Sequence, residues 1–233
     1  MQYMGGKARI AKKLTEVMLS MTTERTFYLE PFMGGAWVLA QMAPHFSAPA
    51  AGDAMPDVAL MWQAVQQGWV PPTEMSRERW YQLKDGPPCP EKTFAGFGCS
   101  FGGKWFGGYA ADNHKKHIWQ AGKTGRSIGV MRPSIVKTFI SQGDYRRWIP
   151  GPGTVVYCDP PYDGTTSYAG AIGAFDSAQF WVTMEKWFAD GATVFVSEYV
   201  APSNWRCVWS QPVRAQLAAD ANAEYVTEKL FTL

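Results

Sequence analysis

Cysteine is sparse in this chain and never closely spaced. Cys89, Cys99, Cys158 and Cys207 lie far apart, so no C-x-x-C pair is present to hold zinc or to cycle as a redox dithiol. Histidine is scarcer still. His114 and His117 stand three apart with Asp112 nearby, but no thiolate or further histidine completes a ligand set, and no metal is expected. Long apolar runs are missing too: nothing approaches the roughly 18 residues that a membrane span needs. The opening Met1-Gln2-Tyr3-Met4-Gly5-Gly6-Lys7 has no signal-peptide layout. The expectation is a cytoplasmic protein with no membrane partner. A large charge of one sign is also absent, since 22 basic residues face 20 acidic ones for a net +2. That balance is too mild to identify a polyanionic partner from the total alone.

What the chain does have is apolar material. At 233 residues and 46% hydrophobic content it can bury one large domain, or a core carrying an insertion. Charge is also unevenly placed. From residue 104 to 137 the basic side chains are Lys104, Lys115, Lys116, Lys123, Arg126, Arg132 and Lys137, with Asp112 the one acidic residue. This local basic patch is interleaved with aromatic residues, a mixture suited to phosphate contact and base stacking.

Periodicity gives the organisation. Ile10, Leu14, Val17, Met18 and Met21 repeat at three and four, which predicts a helix after Lys7 that packs on a sheet. Thr26-Phe27-Tyr28-Leu29 predicts a short buried strand, followed by Glu30-Pro31-Phe32-Met33-Gly34-Gly35 and a helix from Ala36 or Trp37. A weaker strand ends at Gly52-Asp53, and Pro56-Asp57 opens another helix. Strand, glycine turn, helix and a strand ending in an acid is the beginning of a Rossmann-like unit. Between residues 68 and 143 the pattern turns to dense Gly, Pro, Trp and Lys, which predicts a loop-rich insertion. Alternation resumes with the β-branched run Thr154-Val155-Val156-Tyr157-Cys158, stopped by Pro160 and Pro161. A helix capped by Asp176, a strand over 193–197 and a closing pair of strands near 206–209 and 227–233 complete the pattern. The predicted fold is α/β: a Rossmann-like core of residues 1–67 and 144–233, with 68–143 inserted.

Asp159-Pro160-Pro161-Tyr162 stands at the carboxyl end of a buried strand, where open α/β sheets bind ligands. An exocyclic amine on a nucleobase is a poor nucleophile because its lone pair is delocalised into the ring. Hydrogen bonds from its two N–H groups to the Asp159 carboxylate and the Pro160 carbonyl would turn that lone pair toward an electrophile. Tyr162 would offer the base a stacking surface, through its ring face rather than its hydroxyl. Gly34 and Gly35 allow close backbone approach by a cofactor, and Asp53 can accept hydrogen bonds from ribose hydroxyls. Cys158, inside the buried strand, reads as packing.

These pieces resemble the Dam-like DNA adenine methyltransferases, a family of bacteriophages and restriction-modification systems. Met4-Gly5-Gly6-Lys7 is similar to the family's amino-terminal motif, Glu30-Pro31-Phe32-Met33-Gly34-Gly35 to its cofactor loop and Asp159-Pro160-Pro161-Tyr162 to its catalytic loop. The order of the three resembles the family's alpha arrangement, in which the insertion recognises target DNA. The resemblance implies S-adenosyl-L-methionine as cofactor, held by Lys7, Glu30, Phe32, Gly34 and Asp53, with Asp144 at the cofactor's adenine. It implies methylation of the N6 amine of an adenine flipped out of double-stranded DNA, with Asp159, Pro160, Pro161 and Tyr162 catalytic. Lys104, Lys115, Lys116, Lys123 and Arg126 are the expected DNA contacts, in a monomer or weak dimer. One departure is visible: the loop reads Phe-Met-Gly-Gly where many relatives have Phe-x-Gly-x-Gly. Ser197-Glu198-Tyr199 and Glu228-Lys229-Leu230 also resemble phage members, without a catalytic role. Cytosine's amino group, an RNA adenine or a binding protein with an inactive core remain alternatives.

Overall fold

The computed structural model describes residues 1–111, 120–162, 175–214 and 225–233. Seven strands, β1 (Phe27–Glu30), β2 (Ala48–Asp53), β3 (Phe139–Gln142), β4 (Thr154–Cys158), β5 (Thr193–Ser197), β6 (Arg206–Arg214) and β7 (Tyr225–Thr232), form one sheet in the order β3-β2-β1-β4-β5-β7-β6. The first five run parallel. β7 pairs antiparallel with both β5 and β6.

The central parallel strands β4 and β5, with the inner residues of β1, are buried on both faces, and their side chains divide with the two-residue period of a strand. Tyr28, Val155, Tyr157 and Phe195 enter one core; Leu29, Val156, Cys158, Val194 and Val196 enter the other. On the first face lie α1 (Ala11–Ser20), α2 (Trp37–Met42) and α3 (Pro56–Gln66). Ile10, Leu14 and Met18 form the buried stripe of α1, whereas Met21, the last residue of the predicted stripe, is exposed. On the second face lies α7 (Ser177–Ala189), whose first turn is capped by the Asp176 side chain accepting from the Gln179 N–H. Its Phe180, Met184 and Trp187 pack on the sheet.

The segment 68–143 departs from the expected loop-rich insertion. It contains α4 (Arg77–Asp85), α5 (Pro90–Thr93), a π-helical turn Phe94–Gly98 and α6 (Gln120–Ile135). Its last strand, β3, pairs with β2 as the sheet edge, so the core reaches into the residues assigned to the insertion. Its aromatics are mostly interior: Trp80, Phe94, Phe97 and Phe106 are buried and join the α1–α3 core. The glycines explain why a Gly-rich stretch can be interior. A Cβ on Gly96 would meet the Trp105 ring and come within 2.8 Å of Phe106, and one on Gly98 would press on Thr124. Glycine here permits close packing, and among the described residues the aromatics that this segment leaves exposed are Tyr81, Phe101 and Phe139, with Trp69, Trp105 and Tyr109 half-buried. Among the described residues no helix is long and apolar enough to cross a membrane.

Candidate active site

Strand order reverses direction between β1 and β4, and in open α/β sheets ligands bind in the crevice beyond the carboxyl ends at that switch point. Glu30 closes β1, Asp159 follows β4, and Asp53 closes the neighbouring β2. Three carboxylates from separate parts of the chain are therefore set along one sheet edge.

The turn after β1 carries the cofactor-type geometry. Gly34 takes φ +39°, and a Cβ there would sit 2.9 Å from the Tyr3 ring, so only glycine fits without displacing that ring. The Gly34 N–H donates to Asp53 Oδ2 at 3.0 Å, and the Met55 N–H donates to Asp53 Oδ1 at 2.9 Å. A carboxylate has about four lone-pair sites, so Asp53 retains acceptor capacity for the hydroxyls of a ribose. Burial raises its pKa to about 6, against the pull of those two N–H donors, leaving it ionised at neutral pH. Glu30 is more deeply affected. Burial first, and then the charge of Asp159, push its pKa up to about 8, although the Tyr28 hydroxyl donates to it at 2.6 Å. Phe32 packs beneath, with ring centroids 5.3 Å from Tyr145 and 5.8 Å from Phe180.

Lys7, expected among the cofactor residues, reaches the Asp159-Pro160-Pro161-Tyr162 loop. Its ammonium pairs with Asp159 Oδ1 at 2.7 Å and stands 3.7 Å from Glu228 Oε2. It also donates to the Gly5 carbonyl at 3.0 Å and lies 4.7 Å from the centroid of the Tyr162 ring. Burial works against its charge, yet Asp159 and Glu228 outweigh that and raise its pKa. Burial likewise raises the Asp159 pKa, with Lys7 opposing. The Tyr162 hydroxyl donates to Glu228 Oε2 at 2.9 Å, and Tyr199 meets the Tyr162 ring edge-on with centroids 4.6 Å apart. Burial followed by the charges of Asp159 and Glu228 keeps that hydroxyl protonated. Beneath them the Tyr157 hydroxyl and Ser197 Oγ are 2.9 Å apart.

No protein-family model matches the chain, and no curated protein matches it in sequence. In fold it is similar to the rRNA methyltransferase aviRa from Streptomyces viridochromogenes, at 11% identity and a TM-score of 0.47 over 99% of this chain and 86% of that one. It is similar to the Escherichia coli protein yhhF, assigned to the methyltransferases, at 11% identity and 0.43 over 96% and 85%. It is also similar to PH1948 from Pyrococcus horikoshii, assigned to the RNA methyltransferases, at 9% identity and 0.42 over 97% and 82%. The strand order is that of a Rossmann-like open α/β sheet. At these identities the likeness is one of architecture.

Asp144 follows β3 beside Asp53, whose carbonyl accepts from the Gly143 N–H at 2.9 Å. It caps a short 3-10 turn, accepting from the Arg146 N–H at 2.9 Å and from its guanidinium at 2.7 and 3.0 Å. Those hydrogen bonds, led by the guanidinium, lower its pKa. Lys104 is half-buried, while Lys123 and Arg126 are exposed one turn apart on α6. Lys115, Lys116, His114, His117 and Asp112 lie outside the described residues. Glu228, without a role in the sequence reading, is part of the cluster. Its placement depends on β7 running antiparallel, a pairing that no local sequence signal announces.

Proposed function

We propose that this protein is an S-adenosyl-L-methionine-dependent methyltransferase acting on the exocyclic amine of a nucleobase, with the N6 amine of an adenine in double-stranded DNA as its substrate. The observation that carries the proposal is the Asp159-Pro160-Pro161-Tyr162 loop at the switch-point end of β4, one strand from the Gly34 turn and two from Asp53. Donor and acceptor subsites are thereby adjacent.

In this reading the residues divide the work. Asp53 holds ribose hydroxyls, and the Gly34 turn lets the cofactor lie against backbone. Asp159 and the carbonyl of Pro160 accept the two N–H groups of the amine, freeing its lone pair. Tyr162 supports the base. The bound cofactor supplies an electrophilic methyl group on sulfur. Transfer of that methyl group to the amine nitrogen would leave the S–C electron pair on sulfur, and the surplus proton of the amine would pass to solvent. Lys7 keeps Asp159 ionised and in place, so that the carboxylate accepts hydrogen bonds rather than donating one.

Incubation of the protein with labelled S-adenosyl-L-methionine and mixed-sequence DNA or RNA, in parallel, tests this by nucleoside mass spectrometry. N6-methyladenine from DNA is expected. Methylation confined to RNA or to cytosine would reassign the substrate, and no methylated nucleoside from either would end the proposal. Asp159→Asn should reduce turnover by at least about a hundredfold, in the range seen for loss of a charge-stabilising group. Cofactor affinity, measured by calorimetry, should stay close to wild type.

A further inference from the structure

Glu228 is a charged member of the cluster that lies outside the loops already assigned chemistry. It stands on β7, two residues before Leu230, whose partner across the ladder is Ser197 at the end of β5. Because β7 runs opposite to β5, its amino-terminal half continues past the carboxyl ends of the parallel strands, and Glu228 reaches the same edge as Asp159. Its side chain is 12% exposed. It accepts from the Tyr162 hydroxyl at 2.9 Å and stands 3.7 Å from the Lys7 ammonium that pairs with Asp159.

We infer that Glu228 is a positioning residue for methyl transfer, fixing the plane of the Tyr162 ring through its hydroxyl and sharing Lys7 with Asp159. The inference rests on the reading of this loop as the acceptor site. A stacking support works only if its ring cannot turn. Tyr162 follows two prolines, which stiffen its backbone but leave its side-chain torsions unset. Glu228 sets them from the sheet, while Lys7 and Tyr199 flank the ring.

The test combines Glu228→Ala, Glu228→Gln, Tyr162→Phe and the Ala/Phe double variant, on a DNA site first mapped with the wild-type protein. Glu228→Ala should lower kcat at least about tenfold, as expected when a buried hydroxyl loses a charged partner, with S-adenosyl-L-methionine affinity unchanged. Glu228→Gln should recover much of the loss, since its amide oxygen still accepts from Tyr162. In the Tyr162→Phe background the Ala substitution should have less than about a threefold further effect, because the shared bond is already gone. Without cofactor, duplex DNA carrying 2-aminopurine at the target position should brighten less on binding Glu228→Ala than on binding wild type. Wild-type kcat in Glu228→Ala, or equal losses in both backgrounds, would overturn the inference while leaving the proposed function standing. Absence of any wild-type methylation would overturn both. Should the Ala variant fail to fold, Tyr162→Phe decides alone, since wild-type kcat there leaves Glu228 nothing to position.

Discussion

Glu30 ends β1 with its carboxyl 2% exposed and its pKa lifted to about 8 by burial. A group whose folded pKa is raised favours the folded state below its unfolded value, about 4.5, and loses that contribution as pH climbs through about 8. The displacement corresponds to a few kcal/mol at most, and less once water relaxes around the charge. Glu30→Gln should therefore unfold at a higher temperature than wild type near pH 9 and at a similar one below pH 5. Melting curves across that range provide the check. Asp53 would behave differently if, as proposed, its charge holds the cofactor's ribose. With a pKa of about 6, it loses its charge as pH falls below 6, and S-adenosyl-L-methionine affinity should fall with it. Asp53→Asn should weaken binding by about 1–3 kcal/mol and flatten that pH dependence, which calorimetry at pH 5, 6 and 7.5 would read. At this scale the sequence was informative about identity and poor about partnership. The acids at 30, 53 and 159 were legible because each ends or follows an apolar run. Nothing local in the sequence couples residue 7 to residue 159. The Tyr162 hydroxyl has a half-buried carboxylate partner that only the sheet could reveal.

Elements were legible wherever local pattern and tertiary environment agreed. The strands at 154–158 and 193–197 fall where β-branched runs predict them, and Asp176 caps α7. The stretch around Gly96 misled for a physical reason: glycine and tryptophan together read as an exposed loop, but the glycines here make room for rings. Gly96→Ala should consequently destabilise the fold by about 1–3 kcal/mol, the usual effect of overpacking a filled interior. Chemical denaturation would show this as a lower midpoint at constant slope, and an unchanged midpoint would mean that Trp105 yields freely. The edge strand β3 was hidden in the same way, since Phe139-Ile140-Ser141-Gln142 is too short and mixed to outweigh the irregular pattern before it.

At the scale of the whole molecule, the basic segment is the route by which a nearly neutral protein could hold a polyanion. Lys123 and Arg126 are exposed on one side of α6, whose opposite side is anchored by Thr124 and Gln120 donating to the Gly98 carbonyl. Replacing both with Ala should weaken DNA binding at low salt and flatten the slope of log affinity against log salt by up to about 1.8, at about 0.9 per phosphate contact. Sequence preference should survive, because phosphate contacts position a protein whereas base contacts select the site. A fluorescent-duplex titration over a salt series measures both, and an unchanged slope would show these cations facing only solvent.

The antiparallel β7 also bears on when the protein can act. Lys7 lies before the first helix and Glu228 on the last strand, yet both address the same few ångströms around Asp159 and Tyr162. Contacts so distant in sequence close late in folding. Until β7 has threaded between β5 and β6, the chain can present its Gly34 turn and Asp53 but not a braced acceptor site. On the proposed reading, methyl transfer would report on the finished molecule, and a half-folded chain would be silenced by its own topology rather than by any inhibitor.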